Sequence, residues 1–126
     1  DATAAFNRGN ALREAGRGEE ARLDYLRALR HDPDFVEAWF NLAALAREEG
    51  RREEAARHLD EAIARDPLYG DAVFNRATLC FDDGDFDGAR QWWTRYLEID
   101  SESEWARRAE RGLAYLARAG AARFSG

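Results

Sequence analysis

The sequence predicts an all-α solenoid of antiparallel helix pairs, seven helices in all. Three observations carry that expectation. A tripeptide returns at an interval of 34 residues, as Phe6-Asn7-Arg8, Phe40-Asn41-Leu42 and Phe74-Asn75-Arg76. Glycines recur in one register at Gly16, Gly50 and Gly84, and helical segments stop at Asp32-Pro33 and Asp66-Pro67. Self-similarity at a fixed period means one supersecondary unit stacked on copies of itself, and this period accommodates two helices and two tight turns. The expected organisation is one domain over residues 1–126, with repeats at 2–35, 36–69 and 70–103, a capping helix at 104–119 and a frayed tail at 120–126.

The first helix is expected from Ala2 to Ala15, where apolar residues fall at helical spacing, and Gly16-Arg17-Gly18 ends it. The second runs from Glu19 to His31, stopped by Asp32-Pro33 because proline cannot continue a helix. The second repeat follows the same plan: Val36 to Glu49, a turn at Gly50, then Glu53 to Arg65 before Asp66-Pro67. Asp34 and Glu37 have the spacing of a capping box at its start. The third repeat spans Asp71 to Asp82, turns at Gly84 and continues from Phe86 to Ile99, ending at Asp100-Ser101 where the proline is replaced. Ser101 with Glu104, or Ser103 alone, then caps a seventh helix. In that helix Trp105, Ala109, Gly112, Leu113 and Leu116 share one stripe opposite Arg107, Arg111 and Arg118, the pattern of a lid with one dry face.

A chain of 126 residues with 45% hydrophobic content suits a single folding unit. The net charge of −6 disfavours a generic binder of phosphate backbones, which needs an excess of positive charge on one face. Every basic residue is arginine, and this Ala- and Arg-rich usage without Lys or Met resembles a high-GC bacterial coding bias. The absence of Met at position 1 leads us to expect an excerpt or a processed product. No apolar run approaches the roughly 20 residues of a membrane span, and no charged-then-apolar leader is present, so a soluble chain is expected. The single cysteine, Cys80, cannot close an internal disulfide, which is compatible with a reducing, cytoplasmic setting and with a buried, inert thiol.

Further positions recur in register: the small residues Gly9, Ala43 and Ala77; then Ala21, Ala55 and Ala89; the bulky Tyr25, Leu59 and Trp93; then Ala28, Ala62 and Tyr96. Together with the turn glycines and closing prolines, these residues resemble the tetratricopeptide repeat over roughly Ala2 to Ser103. The physics of the pattern stands apart from the name. Small residues let antiparallel helices approach closely, and the bulky one fills the hole between neighbours. The resemblance implies a right-handed α-α superhelix that serves as a protein-interaction module, with the first helices of each pair lining a concave face. The tryptophan expected early in each repeat occurs only as Trp39, replaced by Ala5 and Val73, and Arg8 and Arg76 stand where Leu42 holds the family's leucine. Two roles are open for these arginines, snorkelling along the stack or pairing with acids on an adjacent helix. Tyr96, large for its position, is expected to widen the last junction for the cap.

By that resemblance the concave face receives Phe6, Asn7, Asn10, Arg13 and Glu14, then Glu37, Phe40, Asn41, Ala44, Arg47 and Glu48, then Asp71, Phe74, Asn75, Thr78, Phe81 and Asp82. Two readings weigh evenly. Asn7, Asn41 and Asn75 form an amide ladder for the backbone of an extended peptide, while Phe6, Phe40 and Phe74 take its apolar side chains, which is similar to the asparagine ladders of some members of the family. Alternatively, the same residues support helix packing. The family's carboxylate clamp for chaperone tails is not expected. Asn10 and Asn41 match it, but its cationic positions hold Phe6, Asp71 and Asn75, and Asp71 repels a terminal carboxylate. Asp83, Asp85, Asp87 and Gly88 imitate a calcium loop, yet Thr94 stands where a bidentate glutamate is needed, and helix capping is the expected role of Asp85 and Asp87. His31 and His58 have no metal-ligand spacing. The expectation is therefore a protein or peptide binder with no catalytic residue, metal or cofactor, taking a mixed or apolar ligand. The alternative is an oligomerisation or spacer element of a larger bacterial protein, self-associating through a first-repeat edge that exposes Ala5 together with Leu12 or Phe6. The stretch from Trp92 to Tyr96 leading into Ser103 to Ala106 also resembles repeats appended to bacterial DNA-binding regulators, with any DNA contact outside this chain.

Overall fold

A computed structural model describes residues 1–125 as seven helices: α1 (Ala2–Glu14), α2 (Gly18–His31), α3 (Val36–Glu48), α4 (Arg52–Arg65), α5 (Gly70–Asp82), α6 (Phe86–Ile99) and α7 (Glu104–Ser125). No strand occurs among the described residues. The chain forms two compact units, Asp1–Pro67 with α1 to α4 and Leu68–Gly126 with α5 to α7.

The three turn glycines explain why the helix pairs fold back where they do. Gly16, Gly50 and Gly84 have φ of 78°, 79° and 79°, a left-handed conformation that glycine adopts without a Cβ clash. In each turn the glycine N–H and the next N–H reach back to the last helical turn: Gly16 to Arg13 O and Arg17 to Leu12 O, Gly50 to Arg47 O and Arg51 to Ala46 O, Gly84 to Phe81 O and Asp85 to Cys80 O. This is the Schellman closure, and it satisfies carbonyls that a helix end otherwise leaves bare.

Beyond the turns, the small residues do what close helix approach requires. Ala21, Ala28, Ala55, Ala62 and Ala89 are fully buried, and Tyr25, Leu59 and Trp93 fill the adjacent holes. Gly9 has the same logic in its extreme form, because a Cβ there would stand 2.8 Å from the Tyr25 ring.

Capping of the helix starts departs from expectation at α3 and at Asp87. α3 begins after Phe35 with no side-chain cap, so the capping box of Asp34 and Glu37 does not form. The Asp32 carboxylate instead accepts from the Asp34 N–H, and Asp34 faces the Arg65 guanidinium at 3.5 Å. Asp34 is one position too early to cap, and its charge has a partner elsewhere. In the second unit Asp85 caps α6 through the Gly88 N–H at 3.0 Å, Asp87 pairs with Arg90 at 2.8 Å, and Ser103 alone caps α7 through the Ala106 N–H at 3.2 Å. Of the residues that imitated a calcium loop, Asp83 ends α5, while Asp85, Asp87 and Gly88 form the start of α6.

Tyr96 and Asp100 replace what the missing proline would have done. The Tyr96 hydroxyl donates to Asp100 Oδ2 at 2.8 Å, and Asp100 Oδ1 accepts from the Glu102 and Ser103 N–H groups at 3.1 Å each. With the Ser103 hydroxyl also donating, these bonds push the Asp100 carboxyl down to about 2, the hydroxyl having the largest effect. A carboxyl held below its unfolded value of about 3.9 gives stability that is present above that pH and is lost as pH falls toward 2. Urea melts of the wild type and Asp100→Asn should therefore differ most at neutral pH and converge as pH falls from about 4 to 2. A difference independent of pH would show that Asp100 acts by shape alone.

α7 continues to Ser125 and does not stop at Ala119. The apolar stripe ends earlier, but Ala119 is a strong helix former and Gly120 costs only about 1 kcal/mol, so neither stops the helix. The expected frayed tail extended to Gly126, which lies outside the described residues. No helix among the described residues is long and apolar enough to cross a membrane.

Candidate functional site

In the Asp1–Pro67 unit, Asn10, Arg13, Glu14, Asn41 and Glu48 line a shallow depression of about 410 Å³ on α1 and α3. Polar rungs join the two helices. Asn41 Nδ2 donates to Asn10 Oδ1 at 2.8 Å, and the same oxygen accepts from the buried Tyr25 hydroxyl at 2.6 Å. One turn further along, Arg13 Nε donates to Glu48 Oε2 at 3.4 Å while its Nη2 binds Oε1. The Asn10 acceptor is thereby held by two donors from two helices. Rotamers fixed in this way lose little freedom when a ligand arrives.

The other expected residues separate into different environments. Phe6 is half-buried against Phe35 and Tyr25, with ring centroids 4.8 and 6.0 Å away, so it belongs to the core of its unit. Asn7 and Arg47 are exposed, and Phe40 is half-buried. In the Leu68–Gly126 unit, Phe74 packs edge-on against Tyr96 and Trp105 at 5.3 and 5.2 Å. Asn75 and Thr78 donate back along their own helix, to Asp71 O at 2.7 Å and Phe74 O at 3.1 Å.

Arg8 and Arg76 now have physical roles. Arg8 grips Asp24 through Nε at 2.6 Å and Nη2 at 2.7 Å, and Arg27 adds a third contact to Asp24 Oδ1 at 2.7 Å. Asp24 is 2% exposed, and the Arg8 hydrogen bonds hold its carboxyl below the ordinary range. A buried carboxylate needs such partners, since it would otherwise stay desolvated and unpaired. Arg76 reaches Cys80 Sγ at 3.3 Å and lies over the Trp92 ring at 5.8 Å, while burial pushes the Cys80 thiol up. Arg8 is thus fixed by a buried carboxylate, and Arg76 lies near a thiol and an indole ring.

Two sequence expectations about apolar surface need correcting. Ala5 is 8% exposed and buried, because α2 covers it and the Arg8 and Asp24 pair lies beside it on the same edge. Trp105 does not share the dry stripe of α7; it is 48% exposed, as Tyr115 is at 49%, while Ala106, Ala109 and Leu116 form the buried side. A tryptophan at the margin of a stripe buries one edge and leaves the other to solvent.

Residues 44–104 match a family described as "Tetratricopeptide repeat", and residues 9–47 match one described as "TPR repeat". No curated protein matches the sequence. Among solved structures, the first TPR of Spaghetti (RPAP3), bound to the HSP90 peptide SRMEEVD, aligns with a TM-score of 0.82 at 22% identity, covering 95% of this chain and 93% of that one. The Sgt2 TPR domain from Aspergillus fumigatus aligns at 0.80 and 25% identity, covering 99% and 82% of the two chains. The second TPR domain of human RPAP3, in complex with the HSP70 peptide SGPTIEEVD, aligns at 0.79 and 24% identity, covering 92% and 94%. What these likenesses show is the fold, an α-α superhelix.

Proposed function

The chain belongs to the tetratricopeptide repeat family, and we propose that it is a protein-interaction module that takes a peptide or partner segment against the surface formed by α1 and α3. One observation carries this reading. Asn10, Arg13, Asn41 and Glu48 are cross-bonded into an ordered polar surface beside an open depression, yet they retain unspent hydrogen-bonding capacity. Asn41 keeps its side-chain carbonyl, which suits the N–H donors of an extended backbone. Similar folds that hold HSP90 and HSP70 peptides support the ligand class for this chain without naming its partner. In this reading the pair Asn10 and Asn41 carries the amide contacts of the first unit, while Asn75 Nδ2 also donates to Asp71 O within α5. The module is read as non-enzymatic.

Selection of a displayed random peptide library against the chain tests this. Enriched peptides should lose about tenfold in affinity on Asn41→Ala, the size expected for one or two hydrogen bonds. Helicity and melting should change little, because Asn10 Oδ1 keeps the Tyr25 hydroxyl. Unchanged affinity would remove the α1 and α3 surface from the reading. The spacer alternative has one support, the half-exposed Leu23 beside Leu12 at the first-repeat edge, but charged Arg8, Arg17, Glu20 and Arg27 surround both. Monomeric light scattering at high concentration would exclude self-assembly through that edge.

A further inference from the structure

In the Leu68–Gly126 unit, α7 presents a strip of side chains beside α5, and ring contacts join the two helices. Trp105 meets Phe74 with centroids 5.2 Å apart at 74°, and Tyr115 meets Phe81 at 5.7 Å and 69°. Both α7 rings are nevertheless half exposed, so each offers an apolar edge to solvent while its orientation is fixed by a neighbour. Between them in sequence lies Arg108, whose guanidinium carbon sits 4.6 Å from the Trp105 ring centroid. Stacking on an aromatic face holds a guanidinium without using its in-plane N–H donors. Among the described residues no carboxylate pairs with Arg108, whereas Arg111 has Glu104 at 3.5 Å.

Charge distribution says what such a site accepts. The chain as a whole carries −6, but Glu104 to Arg118 holds four arginines against two glutamates. A basic helix on an acidic chain attracts negative segments locally, and the half-exposed rings on either side of Arg108 supply apolar contact.

We propose that α7 is a recognition element, in which Arg108, held by Trp105, binds a side-chain carboxylate of a peptide whose neighbouring aliphatic or aromatic residue packs on Trp105 or Tyr115. The proposal rests on the peptide-binding reading above and goes beyond it in naming a second surface and an acidic-apolar motif. The carboxylate is internal to the peptide. Held over the Trp105 ring, a guanidinium keeps its in-plane donors for a bidentate carboxylate contact. Tyr115 lies at the far end of the strip and fixes the reach to a short segment.

The test uses displayed random peptides selected against the full chain and resynthesised as C-terminal amides. Enriched sequences should carry Asp or Glu within two positions of an aliphatic or aromatic residue. Arg108→Gln should weaken them about tenfold, and replacing the peptide acid by its amide should do the same, the two changes together costing no more than either alone. Arg108 is exposed, so circular dichroism should report an unaltered fold. Peptides without an acid, affinity indifferent to Arg108→Gln, or binding that requires a free C-terminal carboxylate would each overturn the proposal. If peptides are insensitive to Arg108→Gln yet weakened by Asn41→Ala, the α7 surface fails and the wider reading stands. If no peptide enriches, both fail.

Discussion

Tyr25→Ala is expected to lower the stability of the Asp1–Pro67 unit by about 3–5 kcal/mol, the range for removing a large buried aromatic from a core. Tyr25 is fully buried, and its ring fills the space that Gly9 leaves open, where a Cβ would stand 2.8 Å away. Truncation therefore leaves a cavity facing a glycine backbone, which has no side chain to relax into it. It also removes the hydroxyl that bonds Asn10, so the binding surface loosens together with the core. Domains of this size have about 5–15 kcal/mol in total, so the loss is a large share. Tyr25→Phe separates the two effects. It keeps the ring and should cost only about 1–2 kcal/mol, leaving Asn10 with Asn41 as its remaining donor. Hydrogen exchange resolved along the chain would check the ranking. Equal protection in α1 to α4 for wild type and Tyr25→Ala would refute the view that Tyr25 is the keystone of its pair.

The contrast between what was legible in the sequence and what was not follows from the range of the interactions concerned. Helix limits were legible because local chemistry sets them: Gly16, Gly50 and Gly84 supply a left-handed residue that few others adopt, and Pro33 and Pro67 forbid continuation. Buried small positions were legible because the 34-residue period repeats them. The Asp34 capping box failed because a competing bond from Asp32 and the distant Arg65 decide the geometry there. Pairing across helices was the hardest to see. Arg8 finds Asp24, Arg13 finds Glu48 and Asn10 finds Asn41, and each partner is one of several acids or amides at compatible spacing.

One missed feature did have a signal. Tyr115 follows Phe81 by the same 34 residues that separate Arg13, Arg47 and Phe81, so α7 continues the period of the first helices. That register places Tyr115 beside α5, where the two rings meet. The amphipathic stripe of α7 obscures it, since spacing alone places Trp105 on the dry face. A stripe identifies the buried centre of a helix well and its margins poorly.

Gly112→Ala provides the second large effect and tests how α7 is seated. In an exposed helix this change would stabilise by up to about 1 kcal/mol through helix propensity. Here the added Cβ would stand 2.6, 2.7 and 2.8 Å from three carbons of the Trp93 ring, well inside any tolerated contact. Trp93 is buried, and a rigid indole has no flexible end to swing away, so α7 must shift or the ring must leave its rotamer. Overpacking of this kind costs about 1–3 kcal/mol, which reverses the sign of the propensity term. The indole N–H of Trp93 already lacks an acceptor among the described residues, so its burial is held by packing with no directional bond to resist displacement. A double-mutant cycle isolates the contact. Trp93→Leu introduces the residue type that Leu59 provides one repeat earlier, and in that background Gly112→Ala should become neutral or stabilising. Because α7 carries Trp105 and Arg108, the single variant should also weaken acidic-apolar peptides, and the double variant should recover them if α7 reseats. A Gly112→Ala protein as stable as wild type would mean that the helix sits further from Trp93 than the close approach of Gly112 implies.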